Sequence, residues 1–254
     1  MLGICEISSE FDPRTELMMN EFADDDISDK DRLAIFDCDG VLAYRKGSWT
    51  TIHEKMGTTD HQREHFELYR NGEIDMEEWS RITVEQWGGR TVEEFREAMN
   101  EATPIDGLEP AIRSLKNDGF IIGVVSAGVL QYVESLVEDV PIDFIISNYI
   151  DIEDGHLTGD SDIQVTDINK KNWFEDLVRK YEINASNVAL IGDSEYDLHK
   201  VHPDNLAIAF NPESDTAVKK ADVVIEDGDL ELVLEPVNEW VRKQLSPSER
   251  VDMD

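Results

Sequence analysis

The sequence predicts an α/β fold, with a parallel sheet and a small all-helical domain inserted after the first strand. A short apolar run at residues 33–36 leads directly into an Asp-x-Asp-Gly turn at residues 37–40, as expected for a buried strand. From residue 108 onward, strand-like runs alternate with helix-like segments, which is the pattern of a parallel sheet. Strand-like runs are absent from residues 44–103, where helical patterns follow one another. These observations define a predicted core and a predicted insertion.

The predicted domain boundaries follow from the same patterns. Residues 32–43 and 104–245 form the core, and residues 44–103 form the helical insertion. Residues 1–31 are rich in acidic side chains and show no clear hydrophobic period, so we expect a mobile tail. Residues 246–254 are polar, and we expect a frayed C-terminus.

The insertion is predicted to contain four helices, separated by glycine-containing turns. Asp75 and Thr91 each precede a glutamate by three residues, a spacing typical of helix starts. The predicted helices are Thr50–Met56, Asp60–Tyr69, Asp75–Trp87 and Thr91–Ala102.

The core is predicted to continue with alternating helices and strands. Asp154-Gly155 predicts a small hairpin turn between two short apolar pairs. Helices are predicted at Leu108–Lys116, at Val129–Val137, from Lys170, near Leu198 and at the C-terminal end. Strands are predicted at Phe120–Val125, Phe144–Ser147, from Val188, at Leu206–Phe210 and at Val223–Ile225.

The charge of the chain excludes several classes of partner. Its 254 residues include 23 Lys and Arg against 57 Asp and Glu, so the formal net charge is −34. Such a surface repels the phosphates of nucleic acids and anionic membranes, so we expect neither as a partner. The composition resembles that of proteins from salt-accumulating archaea, which predicts a halophilic source.

The predicted location is the cytoplasm. No run of 18 apolar residues is present, and the chain start lacks the basic-then-apolar pattern of a signal peptide. The two cysteines, Cys5 and Cys38, lie in a polar segment and between two aspartates, so we expect no structural disulfide.

Candidate catalytic side chains follow three of the predicted core strands. Asp37 and Asp39 end the first strand, and residues two apart on a strand share a face. Ser126 and Asp193 follow two further apolar runs. Ligands of open α/β sheets bind outside the carboxyl ends of the strands, so these groups are expected to meet there. Lys170 opens a helix whose apolar residues lie three, four and seven positions later, on one face.

A nucleophilic carboxylate, a second acid, a hydroxyl, an ammonium and a further acid on separate loops suit phosphoryl transfer. In this order, the segments resemble those of the haloacid dehalogenase superfamily, in particular its phosphoserine phosphatase-like branch. The resemblance covers residues 33–237. It implies a Rossmann-like core with a helical cap, at residues 44–103, and a Mg²⁺-dependent phosphomonoester hydrolase.

The resemblance also assigns roles to individual residues. Asp37 would accept the phosphoryl group as an aspartyl-phosphate, and Asp39 would act as general acid and base. Ser126, with backbone N–H groups of Ala127 and Gly128 at a helix start, would bind the phosphoryl oxygens. Lys170 would neutralise the charge that develops there, and the adjacent Lys171 is the alternative.

The implied metal is Mg²⁺, a hard cation that prefers carboxylates, water and substrate oxygens. Asp37 and Asp193 would hold it. Asp39 would contribute a backbone carbonyl, and Asp197 would be a further acid on the metal side.

The implied substrate is a small phosphorylated metabolite, with phosphoserine as the best named candidate. Two positions depart from the branch, however. Lys46 stands where these phosphatases carry a substrate-binding glutamate, and Thr83 stands where they carry an arginine, with Arg81 nearby. A lysine favours a second anionic group over an ammonium in the substrate.

Three alternatives remain open from the sequence. A phosphotransferase or mutase of the same fold would pass the phosphoryl group to a second substrate. A protein without catalysis would only bind phosphorylated ligands. His61, Glu64 and His65 match the His-x-x-Glu-His pattern of some zinc peptidases, although a solvated helix face is the preferred explanation for them.

Overall fold

The computed structural model describes residues 30–44, 47–226 and 228–245. Its centre is a seven-stranded, mostly parallel sheet with the order β4-β3-β2-β1-β5-β6-β7, so the predicted α/β class is confirmed. The strands are β1 (Arg32–Phe36), β2 (Phe120–Val129), β3 (Phe144–Glu153), β4 (His156–Asp162), β5 (Val188–Gly192), β6 (Leu206–Phe210) and β7 (Val223–Ile225).

Strand β1 lies in the middle of the sheet because nearly all of its side chains are apolar and buried. It pairs in parallel with β2 and β5, and Phe36 lies opposite Val124 on one side and Ile191 on the other. Alternate residues face opposite cores: Leu33 belongs to one hydrophobic cluster and Ala34 to the other. The register therefore delivers the residues after β1, β2 and β5 to one edge of the sheet.

The helices flank this sheet and fill the predicted insertion. Four of them, α1–α4, lie within residues 44–103 together with a 3₁₀ turn at Glu85–Trp87. Thr91 and Glu94 form the reciprocal capping box that the sequence predicts, and Asp75 caps α3 by accepting from the backbone of Glu78. The helices are α1 (Ser48–Met56), α2 (Thr59–Arg70), α3 (Met76–Val84), α4 (Val92–Met99), α5 (Leu108–Asn117), α6 (Leu130–Leu136), α7 (Lys170–Lys180), α8 (Asp215–Lys220) and α9 (Leu234–Gln244).

The hairpin predicted at Asp154-Gly155 is confirmed, since β3 and β4 pair in antiparallel fashion around it. Strand β3 is longer than predicted, and the hairpin that it forms with β4 contacts the helical insertion. There, Gly89 donates a backbone hydrogen bond to Leu157, and the hydroxyls of Ser80 and Ser161 lie 2.9 Å apart. The hairpin therefore bridges the sheet and the insertion.

One predicted helix, near Leu198, is wrong. Residues 193–198 form bends and turns instead. The cause is local: the Asp197 carboxylate accepts hydrogen bonds from the backbone N–H and the hydroxyl of Ser194, which closes a turn in place of a helix.

Among the residues that the structure describes, no helix is long and apolar enough to cross a membrane. The predicted N-terminal tail, apart from residues 30 and 31, and the predicted frayed segment 246–254 lie outside the described residues.

Candidate active site

Asp37 is the first residue after β1 and lies buried at the edge of the sheet. Its backbone N–H donates to the carbonyl of Ile191 at 3.0 Å, so the backbone is held in line with β5. Its side chain is only 8% exposed, and its Oδ1 accepts from Nζ of Lys170 at 3.0 Å. The carboxylate therefore has a fixed position and one charged partner from a different element.

Of the two adjacent lysines, Lys170 reaches this site. It is the first residue of α7, its side chain is 3% exposed, and its Nζ contacts Asp37 and also Oδ1 of Asp197, at 2.5 Å. Lys171 is half-exposed and pairs with Glu175 one turn along the same helix. Consecutive helical residues face different directions, so one of the two must point away.

Asp37, Asp193 and Asp197 form a buried cluster in which one carboxylate oxygen from each lies within 4.8 Å of the others. Gly40 permits this arrangement: its φ is +85°, and a Cβ there would lie 2.3 Å from Oδ2 of Asp193. Three converging carboxylates are the hard oxygen donors that Mg²⁺ prefers, so the donor set fits the implied metal. The side chain of Asp39 is outside this cluster.

Burial dominates the electrostatics of the site. It raises the pKa of Asp37 to about 7, although the Lys170 ammonium opposes the rise. Burial alone would lower the pKa of Lys170, but the charges of Asp197 and Asp37 raise it above its ordinary value. Lys170 therefore stays protonated, and a divalent cation beside Asp37 would keep that carboxylate ionised.

The side chain of Asp39 contacts the start of α1. Its carboxylate accepts from the backbone N–H of Ser48 at 3.1 Å and from the Ser48 hydroxyl at 3.2 Å. Burial raises the pKa of Asp39, and the hydrogen bonds from Ser48 oppose the rise. The two aspartates of the turn therefore have different partners, as two different chemical roles require.

Ser126 is buried near the aspartates, but not at a strand end. Strand β2 continues to Val129 and α6 begins at Leu130, one residue later than predicted, so Ala127 and Gly128 lie in the strand and not at the helix start. The N–H of Gly128 donates to the Ser126 hydroxyl, and the Ala127 carbonyl accepts from the side chain of Trp49. These contacts, together with a register shift against β3, keep the segment extended.

Sequence reasoning missed Ser48, Asp167 and Tyr69. Asp167 lies in the turn before α7, and burial raises its pKa. Its Oδ2 accepts from the Tyr69 hydroxyl at 3.3 Å, which joins the insertion to the core. An available signal for Ser48 was the Gly-Ser pair before an apolar helical pattern.

His61, Glu64 and His65 lie on α2, where the first two are exposed. The two imidazole rings are 6.3 Å apart. Within the described ranges, the acidic cluster around Asp37 is the set of potential metal ligands that converges, and these three residues are outside it. The geometry gives no support to a zinc peptidase.

Comparisons with known proteins identify the family of this chain. The pattern of the haloacid dehalogenase-like hydrolase family matches residues 33–200. A phosphoserine phosphatase of Methanocaldococcus jannaschii is 28% identical over 206 residues, which are 81% of this chain and 97% of that protein. A phosphoserine phosphatase of Archaeoglobus fulgidus is 28% identical over 181 residues. The match covers 71% of this chain and about half (52%) of that protein.

A solved structure shares the fold. It is described as a phospho-aspartyl intermediate analogue of phosphoserine phosphatase, with 27% identity and a TM-score of 0.70. The match covers 82% of this chain and 99% of that chain. With the family pattern spanning most of the described core, the chain belongs to the haloacid dehalogenase-like hydrolases.

Proposed function

We propose that this chain is a Mg²⁺-dependent phosphomonoester hydrolase that works through an aspartyl-phosphate on Asp37. The observation that carries the proposal is the separation of two adjacent acids. Asp37 faces a buried ammonium and two further carboxylates, whereas Asp39 faces hydrogen-bond donors of Ser48. One acid is placed as a nucleophile, and the other is placed to move a proton.

The proposed reaction has two steps. An Asp37 oxygen attacks the phosphorus, and the ester bond breaks while Asp39 gives its proton to the leaving alcohol oxygen. A water molecule then attacks the same phosphorus, Asp39 takes a proton from it, and inorganic phosphate leaves Asp37. Lys170 offsets negative charge on the phosphoryl oxygens, and the Ser126 hydroxyl donates to one of them.

Asp37, Asp193 and Asp197 would hold the Mg²⁺, with the Asp39 carbonyl as a further ligand. The ion would supply positive charge at the phosphoryl oxygens.

The helical insertion, residues 44–103, is proposed as a cap that closes over the bound ester. Two contacts support this role: the Trp49 indole donates to Ala127 beside Ser126, and Tyr69 donates to Asp167. Closure would exclude bulk water while the phosphoryl group passes to Asp37.

Phosphoserine is the named substrate candidate, because the relatives and the solved structure carry that activity in their names. The cap differs where those enzymes are expected to bind the amino acid. Thr83 is buried inside α3, and Arg81 is exposed and paired with Glu78. Lys46 lies outside the described residues. A substrate with an additional carboxylate or phosphate is therefore the alternative.

A substrate panel tests the proposal. We expect phosphate release that depends on Mg²⁺ and needs no added Zn²⁺, and kcat/KM for phosphoserine should be compared with those for sugar and glycerol phosphates. If phosphoserine ranks well below several of these, the substrate assignment is wrong and the phosphatase chemistry stands. If no ester is cleaved, the hydrolase proposal is wrong. A cytoplasmic location and the exclusion of nucleic acid remain predictions.

The nucleophile has its own test. Asp37→Asn should retain the fold and lose more than about 10³-fold in kcat, because an amide neither attacks phosphorus nor ligates a cation well. Asp118→Asn, an exposed change of the same chemistry at the end of α5, should leave kcat unaltered. Full activity in the Asp37→Asn protein would contradict the mechanism.

A further inference from the structure

Ser48, the first residue of α1, holds the carboxylate of Asp39 with two donors. Its backbone N–H lies 3.1 Å from both Oδ1 and Oδ2, and its hydroxyl lies 3.2 Å from Oδ2. The same hydroxyl accepts from the backbone N–H of Val129 at 3.1 Å. A hydroxyl has a single proton, so with Val129 donating to the oxygen, that proton is directed at Asp39.

The packing around this contact leaves the carboxylate little freedom. A Cβ at Gly128 would lie 2.6 Å from the Ser48 hydroxyl and 3.4 Å from Oδ2 of Asp39. A Cβ at Gly47 would lie 3.1 Å from the same Oδ2. Ser48 itself is fully buried. The end of β2 and the start of α1 therefore enclose the Oδ2 side of the carboxylate.

We propose that Ser48 is a positioning residue for the general acid. This inference rests on the proposed function, because it assigns the effect of Ser48 to proton transfer by Asp39. Oδ2 accepts from both donors of Ser48, whereas Oδ1 accepts only from the shared backbone N–H, so the proton that Asp39 delivers is carried on Oδ1. Without the Ser48 hydroxyl, the carboxyl group rotates more freely, and fewer bound esters meet an aligned proton.

A comparison of two esters isolates this role. An alkyl phosphate needs a proton on its leaving oxygen, whereas p-nitrophenyl phosphate releases a stabilised anion that needs none. The ratio kcat/KM covers the steps up to departure of the leaving group, so it excludes the later hydrolysis of the aspartyl-phosphate. We expect Ser48→Ala to lower kcat/KM about 10-fold for the best alkyl ester of the panel, and by less than about 2-fold for p-nitrophenyl phosphate.

Two further variants separate positioning from folding. Ser48→Cys keeps most of the volume but is a weak donor, and it should show the same selective loss even if Ser48→Ala folds poorly. Thr51→Val removes a hydroxyl that donates to Gly47, one turn along α1. This change perturbs the same helix start without touching Asp39. The kcat/KM for the alkyl ester relative to that for p-nitrophenyl phosphate should therefore stay at the wild-type value. Thermal unfolding of each variant confirms that the fold is retained.

The outcomes distinguish this inference from the proposed function. Equal losses on both esters, or no loss on either, would overturn the role of Ser48. Asp39→Asn serves as the reference variant. We expect it to lower kcat/KM for the alkyl ester by about 10²-fold or more relative to kcat/KM for p-nitrophenyl phosphate. If Asp39→Asn shows no selectivity, the general-acid assignment fails. If it is selective and the Ser48 variants are not, only the positioning role fails.

Discussion

At the residue scale, Lys170 has the most unusual environment in the described structure. Its ammonium is buried between the carboxylates of Asp37 and Asp197, where an unpaired charge is very costly. Opposite charges offset that cost only when all partners are present. The site is therefore stable as a unit, and the proposed catalytic lysine is also a structural group.

Replacing this lysine tests that statement, and the chain offers a matched control. Lys170→Met should abolish phosphate release and destabilise the fold by about 3–5 kcal/mol, because it leaves carboxylates buried without a counter-charge. Lys171→Met, on the exposed side of the same turn, should change stability by less than about 0.5 kcal/mol. Chemical denaturation and steady-state kinetics measure both effects. Equal behaviour of the two variants would contradict the assignment.

His53 gives a prediction for pH. It is fully buried in α1, its Nδ1 lies 2.7 Å from the Thr58 hydroxyl, and its ring packs on Trp87. Burial, with smaller contributions from the nearby His65 and His61, lowers its pKa to about 4. The folded state thus binds this proton less well than the unfolded state, whose histidine titrates near 6.5.

The stability from His53 is therefore complete above about pH 6.5 and decreases as the pH falls toward 4, by up to about 3 kcal/mol. Many carboxylates titrate in the same pH range, so the contribution of His53 is isolated by comparing wild type with a variant that lacks it. His53→Gln should flatten the pH dependence of the free energy of unfolding between pH 6.5 and 4. His202→Gln, at a partly exposed histidine in a core turn, should not. Identical slopes for wild type and His53→Gln would contradict the prediction.

The sequence predicts some site residues better than others, for a physical reason. Asp37, Asp39 and Asp193 each follow a short apolar strand, so a local sequence pattern is sufficient to predict their position at the edge of the sheet. The partners Ser48 and Asp167 have no such pattern. Ser48 reaches Asp39 only because the turn after β1 folds back to the start of α1, and Asp167 reaches Tyr69 across 98 residues of chain, so both contacts depend on the tertiary fold.

At the element scale, α2 illustrates how the cap meets the core. This helix buries none of its residues fully, yet its Tyr69 ring contacts Phe66 and Trp79 and its hydroxyl reaches Asp167. A hydrogen bond between the proposed cap and the core favours the state in which the two are in contact. We infer that this bond favours the closed cap.

Tyr69→Phe should therefore weaken closure without changing the chemistry. A hydrogen bond to a carboxylate contributes about 1.5 kcal/mol or more, which predicts a rise of about 10-fold in KM with kcat nearly unchanged. Asp167→Asn keeps an acceptor at the same place and should have a smaller effect on KM. If Tyr69→Phe lowered kcat and left KM at its wild-type value, the role in closure would be wrong.

Element boundaries show where local patterns fail. The apolar run of β2 predicts a strand end at Val125, but contacts from Trp49 and Ser147 keep the chain extended to Val129. The helix predicted near Leu198 is replaced by turns because Asp197 binds Ser194. Both departures lie at the proposed site, where side-chain contacts override the local preference of the backbone.

At the scale of the whole molecule, the dominant feature is charge. With 57 acidic against 23 basic residues, the surface has far too few cations to pair its carboxylates. Several ion pairs join neighbours on one helix, as in Arg113–Glu109, and such exposed pairs contribute little. The repulsion that remains opposes the compact state.

Salt should therefore stabilise this protein more than it stabilises an ordinary one. Molar KCl shortens the screening length to about 3 Å, so repulsion between exposed carboxylates is nearly removed, whereas the buried pairs of Lys170 are screened much less. We expect the midpoint of thermal unfolding to rise steadily with KCl. Because screening and salting-out act together, LiCl at equal ionic strength serves as a comparison: a similar rise in both salts indicates screening. A flat or falling curve would show that the net charge of −34 is tolerated without salt, and would remove the physical basis for predicting a halophilic source.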